Sequence, residues 1–117
     1  MANELDGRPI LIVYGEIDLF IVELQDAFDR SGADTQIART PADAMRHLKR
    51  FDFDAVAINH VQGLDAGNRE LVEALAGTPV LVLCSAVTPV SLLRLPCLVK
   101  PVSADAAVEA LARLVRA

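Results

Sequence analysis

Apolar runs of strand length alternate along the chain with segments whose apolar residues recur at helical spacing. Residues 9–14 and 79–84 are continuous apolar runs, which are typical of strands buried on both faces of a sheet. The segment after the first run has its apolar residues three or four positions apart, as on one face of a helix. The residues at this spacing are Ile17, Ile21, Leu24 and Phe28.

Repeated along the chain, this pattern predicts strands over 9–14, 34–38, 54–59, 79–84 and 96–99. The helix after the first strand is closed by Gly32, and the next begins at Pro41 with Thr40 as its cap. A third helix is predicted over 66–76, and Ser103 caps a last one. Strands and helices in alternation predict an α/β fold, with a parallel sheet covered by helices on both faces.

The composition fits one domain with an aliphatic core. The chain has 117 residues, of which 53% are hydrophobic, but it has only one Tyr, four Phe and no Trp. We assign residues 1–8 to a flexible N-terminal tail and 9–117 to the domain. The sequence shows no signal peptide and no apolar run long enough to span a membrane, so we expect a cytoplasmic protein.

Charge and cysteine content argue against several classes of function. The net charge is −5 and no cluster of Lys or Arg stands out, so neither nucleic acid nor a membrane is an expected partner. Cys84 and Cys97 both lie in apolar runs and have neither disulfide nor metal-ligand spacing. We therefore expect buried, reduced thiols.

Polar residues gather where the predicted strands end. In open α/β sheets, functional side chains collect at the carboxyl ends of the strands. The residues at four of these ends are Tyr14-Gly15-Glu16, Asn59-His60, Cys84-Ser85 and Lys100-Pro101.

Together these residues resemble the receiver domain of bacterial response regulators. The retained pocket residues are Ser85, Lys100 and Pro101, and Lys-Pro at the end of the fifth strand carries most of the resemblance. The resemblance implies a flavodoxin-like (βα)5 fold, a three-layer α/β/α sandwich whose five-stranded sheet has the order 2-1-3-4-5. The stretch from Cys84 to Lys100 is short for this family, so we expect its fourth helix to be short or missing.

The positions at which this family has acids carry other residues here. The resemblance places the metal-binding acidic pair at Tyr14 and Gly15 and the phosphoacceptor Asp at Asn59. Glu16 is a neighbouring acid, but one displaced carboxylate rarely holds Mg²⁺, and an amide is no nucleophile for this chemistry. We expect no metal site, no cofactor and no enzymatic activity, and we expect the Tyr14 ring to fill the former metal site.

The switch positions implied by the resemblance also differ. Cys84 stands where the family has a Ser or Thr hydroxyl, and a thiol is a poor hydrogen-bond donor. Cys97 falls near the position of the family's aromatic switch residue. Both parts of the usual switch are therefore expected to be absent.

The leading hypothesis is an atypical receiver-like domain, a pseudo-receiver, in two-component phosphorelay signalling. It would act by phosphorylation-independent contact with a signalling protein, which could be a histidine kinase, another regulator or an output domain, and a homodimer is a further option. The main alternative is a small-ligand or anion sensor that uses the strand-end pocket around Asn59, Ser85 and Lys100. A third is residual phosphoacceptor activity or thiol activity at Cys84.

Overall fold

The computed structural model describes residues 4–59, 65–84, 95–99 and 102–116. Its helices and strands agree with the predicted ones, with small shifts at their ends. They are β1 (Pro9–Val13), α1 (Leu19–Arg30), β2 (Asp34–Ala38), α2 (Pro41–Arg50), β3 (Ala55–Asn59), α3 (Asp65–Ala74), β4 (Val80–Cys84), β5 (Cys97–Val99) and α4 (Ala104–Arg116).

The five strands form one parallel sheet in the order β2-β1-β3-β4-β5. Val13 at the end of β1 lies opposite Ile58 of β3, and Asn59 lies opposite Leu83 of β4. Because the strands are parallel and in this register, their carboxyl ends meet at one edge of the sheet. The predicted fold class and strand order are therefore confirmed.

Alternate side chains of β1 divide the core into two layers. Ile10 and Ile12 pack in the layer formed with α1 and α4, whereas Leu11 and Val13 pack in the layer formed with α2 and α3. All four are buried. Burial of one such aliphatic side chain contributes about 1.5–3 kcal/mol to folding, so contacts on both faces hold the sheet in place.

Polar side chains fix the starts of two helices as predicted. The Thr40 hydroxyl accepts a hydrogen bond from the Asp43 N–H, and the Ser103 hydroxyl accepts one from the Ala106 N–H, each at 3.0 Å. Gly32 follows α1 with a φ of 82°, a conformation that favours glycine. This confirms Gly32 as the residue that closes the first helix.

The start of α1 differs from the sequence prediction. The helical spacing included Ile17, but the helix begins at Leu19 and Asp18 is its N-cap. Ile17 therefore precedes the helix, and 89% of its surface is exposed. The spacing of apolar residues alone could not locate the first residue of α1. A hydrogen bond of 3.0 Å from the Ile21 N–H to the Asp18 carboxylate caps the helix there.

Residues 4–8 pack against the rest of the domain. Leu5 is fully buried in the same layer as Ile10 and Phe28, and the Gly7 N–H donates to the Gly32 carbonyl at 2.9 Å. The packed region thus extends further toward the N-terminus than the boundary suggested at residue 9. A single apolar residue among polar neighbours has no periodic pattern, which is why the sequence did not place Leu5 in the core.

Some predictions concern other segments. The short or missing fourth helix would fall within residues 85–94, which lie outside the described residues, as do residues 1–3 of the predicted tail. Within the described parts of the chain, every helix is too short or too polar to cross a lipid bilayer.

Candidate functional site

Three of the predicted site positions come together at the carboxyl edge of the sheet. Tyr14 follows β1, Asn59 ends β3 and Cys84 ends β4, and these strands are neighbours in the sheet. All three side chains are buried. Gly15 and Glu16 follow Tyr14 at the same edge. Four further residues predicted there lie outside the described residues; they are His60, Ser85, Lys100 and Pro101.

Tyr14 is joined to the N-cap of α1. Its hydroxyl donates to the Asp18 carboxylate, whose two oxygens lie 3.0 and 2.9 Å away. Its ring is inside the core, with its centroid 6.2 Å from that of Phe20. The buried phenol therefore has the hydrogen-bond acceptor that burial requires.

The surroundings of Tyr14 raise the pKa of its hydroxyl above the ordinary range. Burial is the largest cause, followed by the hydrogen bond to Asp18 and the negative charges of Asp18 and Glu16. Ionisation would place a phenolate beside a carboxylate inside the protein. Loss of solvation and repulsion between the two negative charges both oppose this. At neutral pH the hydroxyl is therefore an uncharged donor.

Asn59, at the position that the resemblance assigns to the phosphoacceptor, is bonded to the neighbouring acid. Its Nδ2 donates to Glu16 Oε1 at 3.1 Å. Glu16 lies on the exposed segment between β1 and α1, so the contact connects that segment to the end of β3. Hydrogen bonds to a charged group are stronger than those between neutral groups. The two residues are far apart in sequence, and only the fold brings them together.

Gly15 lies against the end of β2. A Cβ atom added at Gly15 would be 2.8 Å from the carbonyl oxygen of Arg39, closer than two such atoms can approach. Gly15 is not one of the described glycines with positive φ, so the constraint is one of space and not of backbone conformation. This position, where the resemblance places the second acid of the pair, thus has no room for a side chain on this backbone.

The two cysteines lie on adjacent strands, and neither forms a disulfide. Cys84 is buried as predicted, and its Sγ donates to the Leu98 carbonyl at 3.7 Å. Cys97 is only partly buried. Burial raises the pKa of the Cys97 thiol to about 11, and the neighbouring Cys84 adds to the effect. Because the thiolate is the reactive form, the raised pKa disfavours reaction of Cys97 near neutral pH.

The donors at this edge do not fit a magnesium ion. The Asp18 carboxylate accepts from the Tyr14 hydroxyl and the Ile21 N–H, and the Glu16 carboxylate accepts from Asn59. Across the residues that the structure describes, no three His, Cys, Asp or Glu side chains are grouped to hold a metal. Mg²⁺ prefers an octahedral shell of oxygen ligands, and the carboxylates here are engaged with the protein itself.

The sequence did not predict the role of Asp18. An available signal was its position just before an apolar helical run, which is typical of a helix start. No such signal connects Asp18 to Tyr14, because the two are separated by a loop whose path the residue types do not define. The contact depends on where β1 ends and α1 begins in space.

Comparison with known proteins gives similarity at the level of structure. No protein-family model matches the sequence. No curated protein matches it either. The signal receiver domain of a histidine kinase from Syntrophus aciditrophicus superposes with a TM-score of 0.78 and 21% identity, covering 94% of this chain and 91% of that one.

Two response regulators are similarly related in structure. The receiver domain of the Francisella response regulator 1452 has a TM-score of 0.77 and 18% identity, covering 94% of this chain and 98% of that one. The chemotaxis response regulator CheY4 of Vibrio cholerae has a TM-score of 0.74 and 18% identity, covering 92% and 98%. At identities this low, the structural similarity establishes the fold alone. The chain has the flavodoxin-like fold of response-regulator receiver domains.

The raised pKa of Tyr14 can be measured directly, because the chain has one Tyr and no Trp. We expect the native hydroxyl to stay protonated as the pH passes about 10, the ordinary tyrosine pKa. A pKa that is raised on folding contributes stability that is complete below the unfolded pKa and is lost as pH rises above it. Phenolate absorbance against pH, in native and denaturing buffer, tests this.

The control is Asp18→Asn, which keeps a capping side chain and removes the charge. This variant should bring the native titration closer to the ordinary value, but not all the way, since burial is the largest cause of the shift. If Tyr14 ionised at the same pH in the native and the denatured protein, this result would contradict its burial and its hydrogen bond to Asp18.

Gly15→Ala should destabilise the protein by about 1–3 kcal/mol, because the new Cβ forces β2 or the segment after β1 to move. Urea denaturation measures the change. Gln25→Ala, at an exposed position of α1, is the control and should stay within about 0.5 kcal/mol of the parent. Equal stability of the two variants would show that the approach of Arg39 is not a real constraint.

Proposed function

We propose that this chain is a cytoplasmic, receiver-like module of two-component signalling that acts by protein–protein contact and does not accept a phosphoryl group. Its fold, shared with receiver domains of a histidine kinase and of response regulators, supports the signalling setting. The observation that carries the mechanism is the pair of hydrogen bonds at the carboxyl edge, Tyr14 to Asp18 and Asn59 to Glu16.

These hydrogen bonds act against phosphoryl transfer in two ways. Transfer to a carboxylate requires an attacking oxygen and a cation that offsets the charge of the phosphoryl group. Asn59 offers an amide in place of the carboxylate, and Glu16 is held by that amide. The remaining acid, Asp18, caps a helix and binds the Tyr14 hydroxyl. Both carboxylates thus accept hydrogen bonds from the protein itself, and we propose a non-enzymatic module.

An exposed apolar patch on α1 and the residues before it supports contact with another protein. Ile17, Leu19 and Val22 are 89%, 71% and 61% exposed. Leu19 and Val22 are three positions apart on α1 and therefore share one face of the helix. Single exposed apolar residues are common on protein surfaces, but three within six positions are typical of an interaction site.

This apolar patch lies where the carboxyl edge of the sheet meets α1, which relates it to the Tyr14–Asp18 contact. Asp18 lies between Ile17 and Leu19 and determines where the helix begins. The apolar patch and the Tyr14–Asp18 contact are therefore neighbours along the chain. We propose a signalling protein as the partner: a histidine kinase, another regulator or an output domain.

The alternative, a small-ligand or anion sensor at the strand ends, has no described contact in its favour. Asn59 faces Glu16, a carboxylate that repels anions, at 3.1 Å. Ser85 and Lys100, the other residues of that hypothesis, lie outside the described residues.

Phosphorylation tests the proposal directly. Incubation with a small phosphodonor and Mg²⁺ should give no gain in intact mass, and a receiver domain with a complete set of acids, treated in parallel, should gain one phosphoryl group. Asn59→Asp should also stay unmodified, because Tyr14 and Gly15 still supply no metal ligand. Mg²⁺-dependent modification of either form of this chain would overturn the proposal.

The apolar patch is tested with Leu19→Ser combined with Val22→Ser. The pair should abolish binding to a partner kinase or regulator from the source cell, measured by calorimetry, and should leave the circular dichroism spectrum unchanged. Val99→Ser is the matched control, since Val99 is 58% exposed on β5, away from α1. Binding that is lost with Val99→Ser and kept with the α1 pair would place the contact at β5 and contradict this assignment.

A further inference from the structure

A groove of about 340 Å³ lies beside the C-terminal half of α2. Because α2 follows β2 and runs back to the start of β3, this half of the helix lies at the amino edge of the sheet. That edge is opposite Tyr14 and Asn59, so the groove is separate from the candidate site. It is lined by Asp43, Arg46, His47, Lys49, Arg50 and Phe51.

The groove is positively charged in a protein whose net charge is −5. Arg46 pairs with Asp43 at 3.2 Å, but within the described parts of the chain Lys49 and Arg50 form no ion pair. The sequence analysis did not single these cations out, although they lie within five consecutive positions, 46–50. The helix places all three around one groove. Their three charges exceed the single carboxylate of Asp43.

The C-terminus of a helix carries a partial negative charge of about one half, which opposes anion binding. Three full positive charges outweigh it. The same partial charge stabilises cations in the last turn, so it also helps to explain why these side chains are there. The groove is therefore a cationic site at a position where the helix itself does not attract anions.

Two further side chains give the groove a defined shape. His47 is half-buried and fixed on both sides: its Nδ1 lies 2.8 Å from Gln36 Oε1 and its Nε2 3.8 Å from Asp43 Oδ2. The ring of Phe51 is 48% exposed and lies 6.3 Å from the buried ring of Phe53, at 59° to it. An exposed aromatic ring beside two unpaired cations offers both stacking and ionic contacts.

We propose that this groove binds a small aromatic phosphate of the nucleoside phosphate class. Lys49 and Arg50 would hold the phosphate groups, and the base would stack on Phe51. Guanidinium groups match phosphate geometry, and aromatic side chains stack on any base. The volume is within the range of small-molecule sites, about 300–1,000 Å³. A small ligand is favoured over a nucleic acid or a membrane, because the acidic remainder of the surface repels a large polyanion.

The probe is ADP, titrated by calorimetry at low salt. We expect saturable binding with a Kd of about 0.1–1 mM, weakened by added salt. Pyrophosphate and adenosine, titrated separately, report the phosphate and the base contributions. Each should bind more weakly than ADP.

Variants locate the site. Lys49→Gln combined with Arg50→Gln should weaken ADP binding by about tenfold or more. Phe51→Leu should weaken ADP binding and leave pyrophosphate binding unchanged. The matched control is Arg113→Gln, which removes an exposed arginine of α4 that pairs only with Glu109, four residues earlier. It should bind ADP as the parent does, and all variants should keep the parent circular dichroism spectrum.

Four results would overturn the proposal. The first is absence of saturable ADP binding, and the second is a loss of ADP affinity in Arg113→Gln equal to that in the groove variants. The third is ADP binding that Phe51→Leu leaves unchanged. The fourth is tighter binding of a single-stranded oligonucleotide, or of phosphatidylserine vesicles, than of ADP. The last result would assign the groove to a macromolecular surface. The inference does not rest on the proposed signalling function, and each can fail without the other.

Discussion

The hydrogen bond between Tyr14 and Asp18 ties the first strand to the first helix, and the carboxyl edge of the sheet is arranged around it. One carboxylate satisfies a buried phenol and also caps α1. Loss of that carboxylate would leave a buried hydroxyl unpaired, which costs about 1–3 kcal/mol, and would also remove a cap. Gly15 and Glu16 lie between the two residues, so their contacts with Arg39 and Asn59 depend on the same anchor.

The carboxyl edge of an open α/β sheet is usually where a ligand binds, because loops there leave a crevice lined by strand ends. In this protein, the described residues of that edge bind one another. Polar groups that would face a metal or an anion are instead paired within the protein. Two exposed surfaces of the described residues are formed by other side chains. They are the apolar patch formed by Ile17, Leu19 and Val22, and the basic groove on α2. The proposed contacts with other molecules rest on these two surfaces.

Much of the fold could be predicted from the sequence, because the relevant signals are local. Continuous apolar runs identified β1 and β4, and Thr40, Ser103 and Gly32 marked helix ends. Less of the site could be predicted. The sequence showed that Tyr14, Gly15 and Asn59 stand where the resemblance places acids, but the pairing of Asn59 with Glu16 depends on how two distant segments meet.

The errors have physical causes of the same kind. Ile17 has helical spacing but lies before a cap, and Leu5 reaches the core from a polar segment with no period. The basic groove was missed although Arg46, Lys49 and Arg50 lie within five positions of one another, because the sequence does not show that Phe51 and the half-buried His47 line a groove with them. In each case the missing information is a position in space and not a residue type.

The approach of the Arg39 carbonyl to Gly15 has a consequence for how this sequence can change. A receiver-type acid at position 15 needs a Cβ, and the backbone leaves only 2.8 Å for it. The turn after β2, or the segment after β1, would therefore have to move to admit it. The space at Gly15 thus limits which single substitutions this edge accepts without a change of the backbone.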